Sequence, residues 1–299
     1  MVQNLYTHQD ANVRKTWLFM TAMFLVLIAL GWLLTQYYGN TVFLYVFASV
    51  SIIGNIVAYW KSDSIALAMS GAKPVTREQN ARLYRIVENL CITAGLPLPR
   101  LYVMASSQIN AFATGRDPEH SAIAVTTGTL EKLNDNELTG VLAHELSHIG
   151  NRDILISTVV VVMAGIIAIV SDLALRMTLW GGRRNERNGG GAVTLVVVLV
   201  AVILAPLAAT LIRLAVSRKR EFMADSSGAL LTRYPEGLAS ALEKIAHDAV
   251  PMHKAHTATA HLFIASPFKG KEAMSWFTKL FATHPPLSER IRVLRAGGI

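Results

Sequence analysis

Val141-Leu142-Ala143-His144-Glu145-Leu146-Ser147-His148-Ile149 is the stretch on which the reading of this chain turns. It carries the pattern H-E-x-x-H. The residues before it say what it folds into: Asn134, followed three positions later by Glu137, reads as a helix N-cap with its capping-box glutamate. Leu138, Val141, Leu142 and Ile149 then recur at helical spacing. On a helix, His144 and His148 lie one turn apart on one face, where two imidazoles can clamp one metal ion. Glu145, next to them, can act as a base on an attacking water. A chance match to this pattern in a chain of such composition is on the order of 1 in 100, so the motif needs support from elsewhere.

A catalytic zinc takes three protein ligands and keeps one position open. The best third ligand is Glu221, in Arg220-Glu221-Phe222-Met223-Ala224-Asp225. If this stretch is helical, Glu221 and Asp225 share a face. Glu221 can then bind the metal while Asp225 accepts the remaining ring N–H of a ligand histidine, fixing its tautomer. The alternative is that Glu221 only pairs with the nearby arginines.

Apolar runs surround these two stretches. Of the 299 residues, 52% are apolar and 16% charged, against about 25% charged in soluble domains. Trp17 to Leu34 is uncharged and preceded by Arg14 and Lys15; Thr41 to Trp60 is uncharged and closed by Lys61. About 20 residues cross a hydrocarbon core of ~30 Å as a helix. A cleaved signal peptide is the rival reading of the first run, but the run is long and no small-x-small site follows it. The short neutral link 35–40 makes the two runs a hairpin with both outer ends on the positive, cytoplasmic side. Ile154 to Trp180 and Ala192 to Val216 are a third and a fourth run. Asp172 and Arg176, near the end of the third, are spaced to pair on one helix face at the membrane interface. The fourth contains Pro206 and Arg213 and ends in Ser217-Arg218-Lys219-Arg220, a cytoplasmic boundary. Arg183, Arg184 and Arg187 in the link 181–191 run against the positive-inside trend if both runs cross. Crossing or not, Glu221 completes a site with His148 only if the number of crossings between them is even.

The formal net charge of +8 is carried largely by basic residues flanking apolar runs. It therefore reads as orientation in an anionic membrane rather than as a nucleic-acid surface, and no nucleic-acid partner is expected. Cys91 is the sole cysteine, so no internal disulfide forms; it reads as a small buried apolar residue. Extended segments near 101–104, 110–113 and 122–126 predict a small sheet whose exposed edge pairs with substrate backbone. His247, His253, His256 and His261 show no ligand-like spacing and read as solvated, as do Arg82, Arg85 and Glu88 on a helix face.

With these residues in view, the chain resembles the HtpX-type membrane metallopeptidases, which are related to the CAAX prenyl-protein endopeptidases. The resemblance covers most of the chain. It runs through the paired N-terminal spans, Asn110-Ala111-Phe112-Ala113, the block from His144 to Asp153, two apolar runs before Glu221-Phe222-Met223-Ala224-Asp225, and Thr283-His284-Pro285-Pro286 with Arg290. It implies one zinc ion per chain on His144, His148 and Glu221, with Glu145 as catalytic base. It further implies Asn110 beside the substrate strand and His284 near the oxyanion, although on sequence alone Asn110 reads as a turn residue and His284 as part of a loop. It implies a bacterial inner-membrane protease of the stress response. Such a protease disposes of damaged, misfolded or misassembled membrane proteins, tends to cleave itself, and has unfolded polypeptides and the lipid bilayer as partners.

The expected architecture is mainly α: an integral membrane protein with up to four transmembrane helices and a cytoplasmic gluzincin-like metallopeptidase domain containing a small β-sheet. Residues 1–60 form the N-terminal transmembrane hairpin. Residues 61–153 are the first part of the protease domain, 154–216 a second apolar helical hairpin, and 217–299 the second part, with the third ligand. A protease with zinc inside the hydrocarbon is disfavoured because polar residues flank the H-E-x-x-H helix on both sides. A scaffold or transporter with a structural metal site is the alternative of a different class; uncharged first spans and the intact Glu145 argue against it.

Overall fold

The protein is described here from a computed structural model, over residues 5–181, 217–252, 258–268 and 285–297. Three helices form the membrane part: α1 (Leu5–Tyr38), α2 (Val42–Trp60) and α7 (Asp153–Gly181). Gln9–Gln36, Val42–Trp60 and Asp153–Val170 are each long and apolar enough to cross a bilayer. Their shared seam is a cluster that includes Met23, Leu27, Leu30, Ala58, Val159 and Met163. Outward, Trp17, Leu25, Trp32, Tyr45, Ile52, Ile53 and Ile56 are exposed. In water such a face would be a liability; in lipid it is the expected surface. Trp17 at the start of the first apolar run stacks on Tyr59 at the end of the second, with ring centroids 5.6 Å apart. Arg116 lies 4.7 Å over the ring of Trp60. Aromatic rings beside a cation mark a membrane–water boundary, and here they mark it on the side of the peptidase body. Arg176 Nε meets Asp172 Oδ2 at 2.6 Å, the pair read from their spacing. The fourth apolar run lies outside the described residues.

The body begins with α3 (Ser62–Met69), β1 (Ala72–Pro74) and α4 (Ala81–Ala94). A four-stranded sheet follows, ordered β1-β2-β4-β3, with β2 at Arg100–Met104, β3 at Ala111–Gly115 and β4 at Ser121–Thr126. The β2–β4 pair is parallel; β1–β2 and β3–β4 are antiparallel. Sequence reading found three of these strands and missed β1. Alternation along β4 sends Ile123 and Val125 to one core and Ala122 and Ala124 to another. The sheet is thus buried on both faces. α4 and the H-E-x-x-H helix cover one face; α3, Val161 of α7, Met252, Leu262 and Phe263 cover the other.

After α5 (Thr127–Lys132) comes α6 (Asp135–Gly150), which carries the motif. Its capping box is formed: the Asn134 side chain accepts from the Glu137 N–H, and the Glu137 carboxylate accepts from the Asn134 N–H. Glu137 also accepts from Lys244 and Ser240 on α9 (Pro235–His247). Leu138, Leu142 and Leu146 are fully buried, each worth roughly 1.5–3 kcal/mol. α8 (Arg218–Thr232) and α10 (Leu287–Arg295) complete the body. Glycines set two close crossings. A Cβ on Gly228 would lie 3.0 Å from the backbone N of His144, and one on Gly140 would lie 2.5 Å from the backbone N of Leu238. Arg82 departs from the solvated reading: it binds Asp135 and the carbonyls of Leu130 and Leu133, tying α4 to α5 and α6.

Candidate metal centre

α6 and α8 cross where Gly228 permits it, and the crossing joins residues 77 positions apart in sequence into one cluster. The Nε2 atoms of His144 and His148 lie 3.2 Å apart. Glu221 brings Oε2 to 3.9 Å from His144 Nε2 and Oε1 to 3.6 Å from His148 Nε2. Two ligands held about 2.05 Å from a tetrahedral zinc stand about 3.3 Å apart. The three side chains bring one ligand atom each within 4.8 Å of one another, close to that spacing. Glu221 lies beside His148, so the two are on one side of the membrane, as the site requires.

Hydrogen bonds on the far side of each ring fix the tautomers. His144 Nδ1 lies 2.9 Å from Asp225 Oδ1, and His148 Nδ1 lies 3.0 Å from Asp153 Oδ2. Each Nδ1 thus faces a carboxylate, and the two Nε2 atoms turn toward each other and Glu221. Two Nε2 atoms 3.2 Å apart in a buried site need a positive charge between them, a proton or a metal ion, and two imidazoles with one carboxylate are a donor set that fits a divalent metal. Burial alone would lower the His148 pKa; the Asp153 hydrogen bond and the charge of Glu221 outweigh it and raise the pKa to about 9. The same surplus of negative charge favours a bound cation.

Arg290 of α10 is completely buried and grips Asp225 through Nε at 2.8 Å and Nη2 at 2.7 Å. Its Nη1 lies 3.6 Å from Glu221 Oε2. Glu145 is 2% exposed. Burial, helped by the like charge of Glu221, raises its pKa above the usual carboxylate range, while the two histidines and a hydrogen bond from the Ala113 backbone oppose that rise. A carboxyl raised in this way can hold a proton transiently, as a general base must.

The cavity over the cluster is lined by Glu145, Ala113 of β3, Ile154 and Ser157 of α7, and His261. His261 corrects the sequence reading: it is buried rather than solvated, with Nε2 3.1 Å from the Ser157 carbonyl. The expected open strand edge also needs correction. β3 is an edge strand, but all five of its residues are buried, and the Ile264 N–H already binds the Ala111 carbonyl. Asn110 is 1% exposed. Its amide donates to Gln108 Oε1 and the Ala265 carbonyl, and its Oδ1 accepts from the Ala111 N–H. In this conformation it moors the 258–268 segment and presents nothing to the cavity. His284 lies outside the described residues.

Sequence reasoning gave Asp153 and Arg290 no role. Arg290 had left a signal: Leu287, Arg290, Ile291 and Leu294 fall at helical spacing, placing a charge in the middle of an apolar stripe. Such a charge must have a buried partner. Asp153, five residues after His148, carried no comparable mark.

Residues 77–297 match the model of peptidase family M48. A "Protease HtpX homolog" of Thermoanaerobacter pseudethanolicus is 47% identical over 299 residues, covering 98% of each chain. Another, of Pyrococcus furiosus, is 45% identical over 285 residues, covering 94% of each. The crystal structure of S. mikatae Ste24p superposes with a TM-score of 0.49 at 17% identity, over 97% of this chain and 66% of that one, a likeness too slight to build on.

Proposed function

Since this chain belongs to peptidase family M48 and is a membrane-bound metallopeptidase, we propose that it is a zinc endopeptidase acting on membrane proteins at the cytoplasmic face. One observation carries the reading: His144, His148 and Glu221 converge, with Glu145 beside them, in one buried cluster. In this reading the three converging residues hold one zinc ion. Bound there, zinc supplies Lewis-acid chemistry, polarising the scissile carbonyl and making water more acidic. Glu145 takes the proton from the attacking water and delivers it to the leaving amine. Asp225 and Asp153 keep both imidazoles in the tautomer that offers Nε2. His284 is assigned to the oxyanion, where one hydrogen-bond donor is typically worth ~10²–10³ in rate. Asn110 is assigned to substrate binding through the segment it moors.

The proposed substrates are damaged, misfolded or misassembled membrane proteins, in a bacterial inner membrane. Proximity supports this. α7 enters the apolar zone at Asp153, five residues after His148, so a chain leaving the bilayer meets the cluster near the surface. We retain the division into a hairpin (1–60), two peptidase segments (61–153 and 217–299) and an apolar stretch between them (154–216). Residues from Leu83, Leu90 and Leu142 to Leu242, Ile264 and Leu294 share a single core, which supports reading the two segments as one body.

The test is cleavage of an unfolded membrane protein by the purified chain in detergent. Chelator should stop it and zinc should restore it. Glu145→Gln should retain zinc and cleave nothing; a variant that still cleaves would show that the base is elsewhere. Stoichiometric zinc without cleavage of any polypeptide would favour the scaffold.

A further inference from the structure

α1 does more than anchor the chain. Its apolar run starts at Trp17, yet the helix begins at Leu5, and the polar turns before the run reach the metal centre. Asn12 is 5% exposed. Its Nδ2 donates to Asp153 Oδ1 at 2.8 Å and to the Asn151 carbonyl at 3.2 Å, while its Oδ1 lies 3.5 Å from Arg220 Nη1. Two acceptors on one side and a guanidinium on the other leave one sensible orientation for the amide.

Asp153 is thereby divided between two tasks. Oδ2 takes the N–H of His148; Oδ1 takes the N–H of Asn12 and lies 3.5 Å from Arg220 Nε. The carboxylate is buried. Its rotation about the Cβ–Cγ bond is therefore set by whatever binds Oδ1, and that rotation aims the ring of His148. Asn12 precedes Trp17 by five residues, or about 7.5 Å of helix, on the side of the uncharged run that faces the peptidase body. No proline interrupts α1 between these points.

We propose that Asn12 is a positioning residue of the metal centre, and that the membrane anchor supplies it. The chain of contacts runs from α1 through Asn12 and Asp153 to His148. This inference rests on the metal-ligand reading of His148 given above. It goes further by making the first transmembrane helix a structural part of the ligand set rather than a tether.

The experiment measures zinc affinity of the full chain in detergent by competition with a chromophoric chelator, and the visible band of the cobalt-loaded protein as a report on ligand geometry. Asn12→Ala should weaken zinc binding about 10-fold and alter the cobalt band. Asn12→Asp should weaken it further, because it sets a second carboxylate against Asp153. Gln9→Ala is the control: Gln9 docks the same helix through the Gly150 carbonyl at 2.7 Å but does not touch Asp153. It should leave affinity and band unchanged. Wild-type affinity and band in Asn12→Ala would overturn the proposal, as would an equal loss in Gln9→Ala, which would assign the effect to helix docking alone. If the wild-type chain takes up no metal, the reading of the site fails and this inference falls with it; failure of Asn12→Ala alone leaves that reading standing.

Discussion

Arg290 and Asp225 form a buried, two-pronged ion pair that fastens α10 to α8 directly behind His144. The guanidinium is wholly inaccessible and the aspartate is 2% exposed. Removing one partner of such a pair strands the other charge, at a typical cost of about 3–5 kcal/mol. Arg290→Met should therefore lower the thermal midpoint sharply and weaken metal retention, since Asp225 also orients His144. Arg290→Lys should rescue little, because a single ammonium cannot reproduce the fork. Thermal unfolding in detergent, followed with and without chelator, reads both effects. Full retention of stability by Arg290→Met would contradict this account.

The two close helix crossings should respond differently to one added methyl group. At Gly140 the new Cβ would sit 2.5 Å from the Leu238 backbone N, so α9 must move. At Gly228 the nearest backbone atom is His144 N at 3.0 Å, and a shift of a few tenths of an ångström suffices. Gly140→Ala is expected to cost more in stability, about 1–3 kcal/mol. Gly228→Ala is expected to cost more in zinc affinity relative to its stability loss, because it moves the helix bearing Glu221 against the helix bearing the histidines. Chelator competition beside thermal melts separates the two.

Glu137 makes stability depend on pH in a predictable direction. Burial would raise its pKa, but Lys244, the Asn134 N–H and Ser240 together hold it below its ordinary value of 4.5. A carboxyl lowered in the folded state adds stability that is full above its unfolded pKa and is lost as pH falls through the folded value. Glu137→Gln should thus lower the melting temperature at pH 7, and the gap from wild type should close as pH drops below about 4. A gap that stays constant with pH would mean that charge plays no part.

Metal removal should destabilise the wild-type chain and leave a ligand variant unmoved. A ligand present at 100 times its dissociation constant adds about 2.7 kcal/mol to the folded state. Chelator should therefore depress the melting temperature of wild type by several degrees and that of Glu221→Gln by much less. An equal response from the two would take Glu221 out of the ligand set.

The parts legible in the sequence obey short-range rules. The α6 capping box, the i,i+4 histidines, the Asp172–Arg176 pair and the apolar runs all have their partners within a turn or a window. Glu221 was reachable because its own helix carries Asp225 at the matching interval. The contacts that could not be read join distant segments: Asn12 with Asp153, Arg290 with Asp225, and His261 with Ser157 are each more than 60 residues apart. Nothing local distinguishes Asn12 from any polar residue ahead of a membrane helix, or His261 from its solvated namesakes. The three-residue β1 is an edge strand closed by Pro74, too short to show alternation.

The core that seats α6 draws on residues of α4 and α6 and again on residues of α8, α9 and α10, with α7 between the two sets in the chain. During synthesis the histidines leave the ribosome well before the helices that cover them and the carboxylate that joins them. With the ligand set proposed above, a nascent chain ending before Glu221 lacks its third ligand. On that reading the site can be completed only after α1, α2 and α7 have been made.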